Sequence, residues 1–444
     1  FEQKIIIGHY EITFNRCNTQ RTHRFLNTRP TIKETSAKKL TVVAMDIKAD
    51  FGVYDVEPEL VYLDSASTTL VPRTAADATY RFLNTTVSSA RRGAYRLTVN
   101  ASSMTENVRK SLAEFMATDT SQVSFQKSIP TAVASFAYGF DWKEANRNKI
   151  VIAQSEEHSI LVTLLRVAQI LDLQVETVPL FSDGALNMSE LDKAVNAEAG
   201  IVAVSHVTMG AGVRNPLGEV AKICQEHEAL LLTDATRSIG VTDTNLSFLH
   251  ADVAICSANI GLMGPPGLAL QWIRKDLGES HKPGVIGGSA VANVEAESFE
   301  IALQPDKFES GILNLPAIAG LGASLDYLRE LRNQGQLKHM KAISAYTYDA
   351  LSEIEGIILY GNPTRENNIF GFNIGDKNGI NCHEIALFLD DSNIAVRSGL
   401  VCAHPLIKPF SEEGLVQVSL HAYNTIEDID RLTESLRMII KELL

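Results

Sequence analysis

Four stretches constrain this chain more than anything else in it. Lys149-Ile-Val-Ile-Ala153, Gly200-Ile-Val-Ala-Val-Ser-His206, Leu230-Leu-Leu-Thr-Asp234 and Asp252-Val-Ala-Ile-Cys256 are apolar almost without interruption. A strand with one wet face alternates apolar and polar side chains, whereas a strand with two dry faces does not. From Leu60 onward such runs alternate with longer stretches of helical spacing. The pattern predicts an α/β architecture, a mostly parallel sheet covered by helices on both faces. With 444 residues, 45% of them hydrophobic, the chain is long enough for that core and a second, smaller domain.

The formal net charge is -13. A surface of that sign repels nucleic-acid phosphates and anionic lipid, so neither is expected as a partner. No apolar run approaches the roughly 18–20 residues that span a bilayer, so no membrane association is expected. The five cysteines, Cys17, Cys224, Cys256, Cys382 and Cys402, are scattered, odd in number and without CxxC spacing. That suits free thiols in a reducing, cytoplasmic setting better than a disulfide framework or a zinc site, and no metal is expected. Cys224 and Cys256 lie in apolar runs and read as small core residues.

Residues 1–44 differ in character from the rest. Phe1–Tyr10 leads into an Arg-, Asn- and Thr-rich run with no sustained helical or strand period. Two readings stand: an organelle-targeting segment, or sequence upstream of a native start at Met45, the second being favoured. Under either, little order is expected there.

Past this segment short motifs follow one another in a fixed order. Tyr62-Leu-Asp-Ser-Ala-Ser67 closes a strand, Arg91-Arg-Gly-Ala-Tyr-Arg-Leu-Thr98 follows, and Gln126-Lys-Ser-Ile-Pro-Thr-Ala132 makes a strand-to-helix turn. Ser155-Glu-Glu-His158, Thr208-Met-Gly-Ala-Gly-Val-Arg-Asn-Pro216 and Asp234-Ala-Thr-Arg237 each follow or end a strand. Then come Ser257-Ala-Asn-Ile-Gly-Leu-Met-Gly-Pro-Pro-Gly267, Phe308-Glu-Ser-Gly-Ile-Leu-Asn314, Ile394-Ala-Val-Arg-Ser-Gly-Leu-Val-Cys-Ala-His-Pro-Leu406 and Val416-Gln-Val-Ser-Leu-His-Ala-Tyr-Asn-Thr425.

In order and spacing, from about Met45 to the C-terminus, this series resembles the class V aminotransferase and cysteine desulfurase family, whose members form Schiff bases with pyridoxal phosphate (PLP). The resemblance implies the PLP-dependent transferase fold type I: a large domain with a mostly parallel seven-stranded sheet, plus a small α+β domain. The large domain is expected over 45–315, with 45–60 packing on the small domain, and the small domain over 316–444. A homodimer with sites at the interface is implied as well.

The resemblance also implies which residues should carry the chemistry, and most of them are replaced. The lysine that holds the cofactor falls on Ile260, or on Gly261 when the register is taken back from Gly264-Pro265; no lysine lies between Ile223 and Arg274. The Gly-Thr-Thr turn that binds the phosphate is Ser128, Ile129 and Pro130 here. Proline lacks an N–H and isoleucine a hydroxyl, which leaves Ser128 and Thr131 to cap the helix. The threonine that reaches the partner subunit's phosphate is Ile312, and Tyr95 stands where a histidine is usual. The histidine that stacks on the ring falls on Glu157 in ungapped register, or on His158 after a one-residue shift.

Asp234 matches the aspartate that keeps the ring nitrogen protonated, but the family's glutamine and asparagine beside it are Arg237 and Met209. An ion pair between Asp234 and Arg237 would need no cofactor. The arginine that grips the substrate carboxylate is Gln417, which cannot make that charged two-pronged contact, although Arg397 remains nearby in the motifs. The segment from Ile394 to Leu406 departs least. It places Cys402 on the cysteine that takes sulfur from the substrate, with Arg397 and His404 close in sequence.

The expectation drawn from these residues is a desulfurase-like pseudoenzyme without PLP, a scaffold, regulator or sulfur-relay partner in sulfur or iron–sulfur metabolism. It would pair with itself or with an active paralogue, and meet a sulfur acceptor or iron–sulfur assembly protein. The alternative is an active PLP-dependent cysteine desulfurase, turning L-cysteine into L-alanine and an enzyme persulfide with a non-standard amine such as Lys127. Asp234, Arg237, His158, Ser128 and Thr131 would then be its cofactor-facing residues.

Overall fold

A computed structural model describes residues 3–7 and 10–14 and, apart from 243–244 and 376–378, residues 45–443. The first two of these segments form an antiparallel pair, Gln3–Ile7 with Tyr10–Phe14, where the sequence reading expected no regular structure. The expectation for the rest of 1–44 lies outside the described residues.

Seven strands form the main sheet: β1 (Val123–Gln126), β2 (Lys149–Ala153), β3 (Gln174–Val178), β4 (Ala199–Ala203), β5 (Leu230–Asp234), β6 (Val253–Ser257) and β7 (Ala269–Ile273), in the order β1-β7-β6-β5-β4-β2-β3. Only β7 runs against its neighbours, and β2 to β6 pair in parallel. The reason for the uninterrupted apolar runs is visible residue by residue. Val151, Val202, Leu231 and Cys256 face one hydrophobic core, while Ile150, Ile152, Ile201, Leu232 and Ile255 face another on the opposite side of the sheet. Both faces are dry, as a strand without alternation requires.

Helices cover those faces. The run from 101 to 116 is helical but begins earlier, so that α1 spans Arg96–Phe115. Next, α2 (Ile129–Gly139) starts with Ser128 accepting the Thr131 N–H at 3.3 Å, a cap that satisfies one orphan donor. The buried stripe of α3 (His158–Leu171) is Ile160, Leu161, Leu164, Val167 and Ala168, one face of a 3.6-residue period.

Beyond Asn314 the long helix α4 (Leu315–Asn333) packs against α1 and the helix Arg73–Arg81. A boundary drawn at 315/316 therefore cuts a continuous helical stack, and residues to about 333 belong with the large part by packing. The smaller sheet follows, with β8 (Ile357–Tyr360), β9 (Ile369–Ile374), β10 (Arg397–Gly399) and β11 (Leu415–Ser419) in the antiparallel order β8-β9-β11-β10. It is covered by α5 (Cys382–Asp391), against which α6 (Ile426–Leu443) packs. Residues 45–60 reach this region: Lys48 pairs with the buried Asp428 of α6 at 2.5 Å, and the Phe51 ring meets Tyr423 edge-on. Among the described residues no helix is long and apolar enough to cross a membrane.

Candidate functional site

The carboxyl ends of β2, β4, β5 and β6 meet on one side of the sheet, where ligands of parallel α/β folds bind. From them issue Ser155–His158, Val204–Thr208, Asp234–Arg237 and Ser257–Gly261. The loop Leu400–Ala403 of the smaller sheet reaches the same place, because the His158 N–H donates to the Cys402 carbonyl at 2.9 Å.

Buried Asp234 accepts the Thr236 N–H at 2.8 Å on one oxygen, and its Oδ2 has no hydrogen-bond partner. Burial, and then the Glu157 charge, push its carboxyl up to about 6. Arg237 stands 3.8 Å from that Oδ2, yet its main partner is a different carboxylate. Its Nη2 donates to Glu157, and its Nε approaches the Met209 sulfur at 3.1 Å. The ion pair expected between Asp234 and Arg237 is thus secondary to one with Glu157. Burial opposes ionisation of Glu157, but the Arg237 charge, with help from the Ser159 hydroxyl, holds its carboxyl below the ordinary range.

Glu157 points to Arg237, whereas the His158 ring packs edge-on against His404, 4.4 Å between centroids. The residue before them was missed by sequence reasoning. Glu156 is fully buried, and its two oxygens take the Ser205 N–H and hydroxyl, each at 2.6 Å; burial pushes its carboxyl up to about 7. The signal available was a charged residue directly behind a buried strand end.

The turn that bears Ile260 is pinned on all sides. Thr69 donates its N–H to the Asn259 carbonyl at 2.9 Å and its hydroxyl to the Ile260 carbonyl at 2.8 Å, and His421 Nε2 meets the Gly261 carbonyl at 3.2 Å. Burial keeps the His421 imidazole neutral, with its pKa down near 4. A Cβ on Gly261 would lie 1.9 Å from the Ile239 carbonyl oxygen, so no side chain fits at that position. Lys127 is exposed at the end of β1, its Nζ beside Gly311.

The phosphate turn tells the same story. The Ser128 and Thr131 hydroxyls bond each other at 2.9 Å, Ile129 is buried in the core, and Ile312 is 81% exposed. Gln417 is buried and accepts the Gly210 N–H at 2.8 Å, which ties the Met209–Gly210 loop to the small sheet; its Nε2 has no partner. Arg397 lies directly opposite Gln417 in the β10–β11 register. Tyr95 is 55% exposed.

An orphaned buried carboxylate such as Asp234 Oδ2 suits a cationic ring, but nothing else here suits PLP. Where the resemblance puts the lysine stand Ile260 and a glycine with no room, where it puts the phosphate turn the Ser128 and Thr131 hydroxyls are spent on a cap, and Arg237, held by Glu157 and Met209, stands 3.8 Å from the aspartate. The residues present do not fit the cofactor.

Cys402 is the exposed one of the described cysteines. Val401 and Cys402 both take left-handed backbone, with φ of 39° and 57°, an uncommon conformation for any residue but glycine and a strained one for valine. Val401 is held there by burial with Met209 and Ile407. Cys224 and Cys256 are buried, and burial pushes the Cys224 thiol up to about 12 and the Cys256 thiol higher still. Both are inert as nucleophiles.

Comparison with known proteins places these features. The model of the family described as Aminotransferase class-V matches residues 61–432. A probable cysteine desulfurase of Halalkalibacterium halodurans is 31% identical over 398 residues, covering 88% of this chain and 97% of that protein. One from Methanothermobacter thermautotrophicus is 30% identical, over 85% of this chain and 94% of its own length. Among solved structures, the apo cysteine desulfurase of Thermococcus onnurineus NA1 superposes with a TM-score of 0.81 at 28% identity, over 90% of this chain and all of that one.

Proposed function

Since the chain belongs to the class V aminotransferase family, we propose that it is a cysteine desulfurase-like protein that works on sulfur through Cys402 without Schiff-base chemistry. The carrying observation is the pairing of an exposed thiol on a preserved loop with a turn that has no amine and, at Gly261, no space for one. On this reading the protein is a relay or regulator, paired with itself or an active paralogue, and serves a sulfur acceptor.

The relay step needs no cofactor. The Cys402 thiolate attacks the outer sulfur of a donor persulfide, the donor's S–S bond breaks, and the donor leaves as a thiolate that takes up a proton. Cys402 then carries the persulfide, and oxidation state is conserved overall. What this chain supplies is placement. The His158 N–H fixes the Cys402 carbonyl, and Val401 anchors the loop from below.

The test is the visible spectrum of the purified protein with added PLP, before and after dialysis and borohydride. Absence of a trapped adduct, together with a sulfur adduct on Cys402 after exposure to an active desulfurase and cysteine, is the expected result. A second reading is favoured by the names of the relatives and by the preserved cysteine loop: an active desulfurase using a substitute amine such as Lys127. Alanine released from cysteine in the presence of PLP, and lost with Lys127→Ala, would establish it instead.

A further inference from the structure

The group of side chains around Asp234 has more internal order than a decayed site requires. Arg237 is buried, and its guanidinium is committed on three sides: to Glu157, to the Met209 sulfur at 3.1 Å, and to Asp234 at 3.8 Å. Two of those three partners occupy positions at which the family resemblance implies cofactor-contacting residues. The third is the aspartate that would face a ring cation. Met209 is itself held in place, since the next residue's N–H is bonded to Gln417, and Gln417 stands where a substrate-binding arginine is implied.

We propose that this pocket supplies its own ligand: the Arg237 guanidinium, clamped by Glu157 and Met209, stands permanently where the family places the cofactor ring and is the cation that Asp234 faces. This rests on the reading that Schiff-base chemistry is absent and goes one step further. A guanidinium is planar, delocalised and cationic at every physiological pH, and it shares planarity and positive charge with a protonated pyridine ring. Glutamine at 237 and histidine at 157 would leave Asp234 facing no cation until a cofactor arrived. With Arg237 and Glu157 the pocket already holds a cation near Asp234 and an anion for that cation. The replacements at 157, 209, 237 and 417 are then one construction rather than four independent losses. A ring facing Asp234 would have to displace the Arg237 guanidinium, and breaking the Glu157–Arg237 pair is costly because each partner would be left buried and unpaired.

The experiment compares the wild-type protein with R237Q and E157Q/R237Q. Equilibrium dialysis against PLP is followed by borohydride reduction, and thermal melts are run without PLP. The wild type should retain no PLP, with a Tm indifferent to it. R237Q should melt several degrees lower, because Glu157 loses its partner, and the double variant should recover part of that loss because both charges are gone. A double variant that fails to fold, or melts no higher than R237Q, overturns the proposal. Retention of PLP by the wild type without a borohydride-stable adduct overturns it too, while leaving the absence of Schiff-base chemistry standing. A borohydride-stable adduct on the wild type overturns both.

Discussion

Arg109 and Glu309, 200 residues apart in sequence, form a buried two-pronged ion pair, with Nη1 to Oε1 at 2.7 Å and Nη2 to Oε2 at 3.2 Å. Each partner also serves the backbone of β1: Arg109 donates to the Val123 carbonyl at 2.8 Å, and Glu309 accepts the Phe125 N–H at 2.7 Å. The pair fastens α1 and the Phe308–Asn314 motif to the edge of the main sheet. Glu309→Ala leaves a buried guanidinium and an unpaired N–H, and should cost roughly 3–5 kcal/mol. Urea unfolding of Glu309→Ala beside Glu309→Gln measures it. The glutamine, which can keep the Phe125 N–H bonded, should lose less.

Cys402→Ser should abolish the mass gain of one sulfur atom that appears after exposure to an active desulfurase and cysteine. Cys382→Ser should keep it, because Cys382 is buried. Intact-protein mass spectrometry before and after reduction reads both.

Ile260→Lys alone should not give a borohydride-stable PLP adduct. The amine would return to the sequence, but Arg237, Glu157 and Met209 would still crowd Asp234, and Ile129 and Pro130 would still replace the phosphate turn. Gly261→Lys should be worse than ineffective. Its Cβ would meet the Ile239 carbonyl oxygen at 1.9 Å, and the overpacking should cost at least about 1–3 kcal/mol, visible as a lowered unfolding midpoint.

The contributions of Glu156 and Asp234 to stability should fall as the solution is made more alkaline from about pH 5 to about pH 8, against the buried imidazoles of His206, His281 and His421, whose lowered values add stability as pH rises toward 6.5. Glu156 and Asp234 have folded-state pKa values of about 7 and about 6, raised by burial above their ordinary values of 4.5 and 3.8. Between the ordinary and raised values the folded state holds more protons than the unfolded state, so that stability is full below the ordinary values and is lost as pH rises through the raised ones. Glu157, lowered by Arg237, works in the opposite sense: its contribution is present above its ordinary value of 4.5 and is lost on acidification through its lowered folded value. Glu156→Gln can accept the Ser205 N–H and donate to the Ser205 hydroxyl, so it should flatten the alkaline loss, by on the order of 3 kcal/mol at pH 8. Melts of both proteins across that range decide the matter.

The fold was legible because burial on two faces leaves a mark along single strands. Leu231 and Leu232 need different cores, and nothing but a covered sheet supplies both. The Cys402 loop was legible because its motif is local. The pocket was not. Arg237 sits three residues from Asp234, the obvious partner in the sequence, but chooses Glu157, 80 residues earlier, because the ends of β2 and β5 converge only in the folded sheet. The same applies to Gln417, whose partner is a backbone N–H 207 residues away. A backbone donor carries no side-chain signature.

Left-handed backbone at Val401 and Cys402 gives the loop a mechanical aspect. Such conformations cost on the order of 1–3 kcal/mol each and persist only while the surroundings enforce them. Here the enforcing contact is the burial of the Val401 side chain in the cluster that also holds Met209 and Ile407. On the proposed relay, an acceptor that draws Cys402 outward would also have to lift Val401 from that cluster, which would free both residues to leave the left-handed region. In that relay, handing on the sulfur and uncocking the loop would be a single movement.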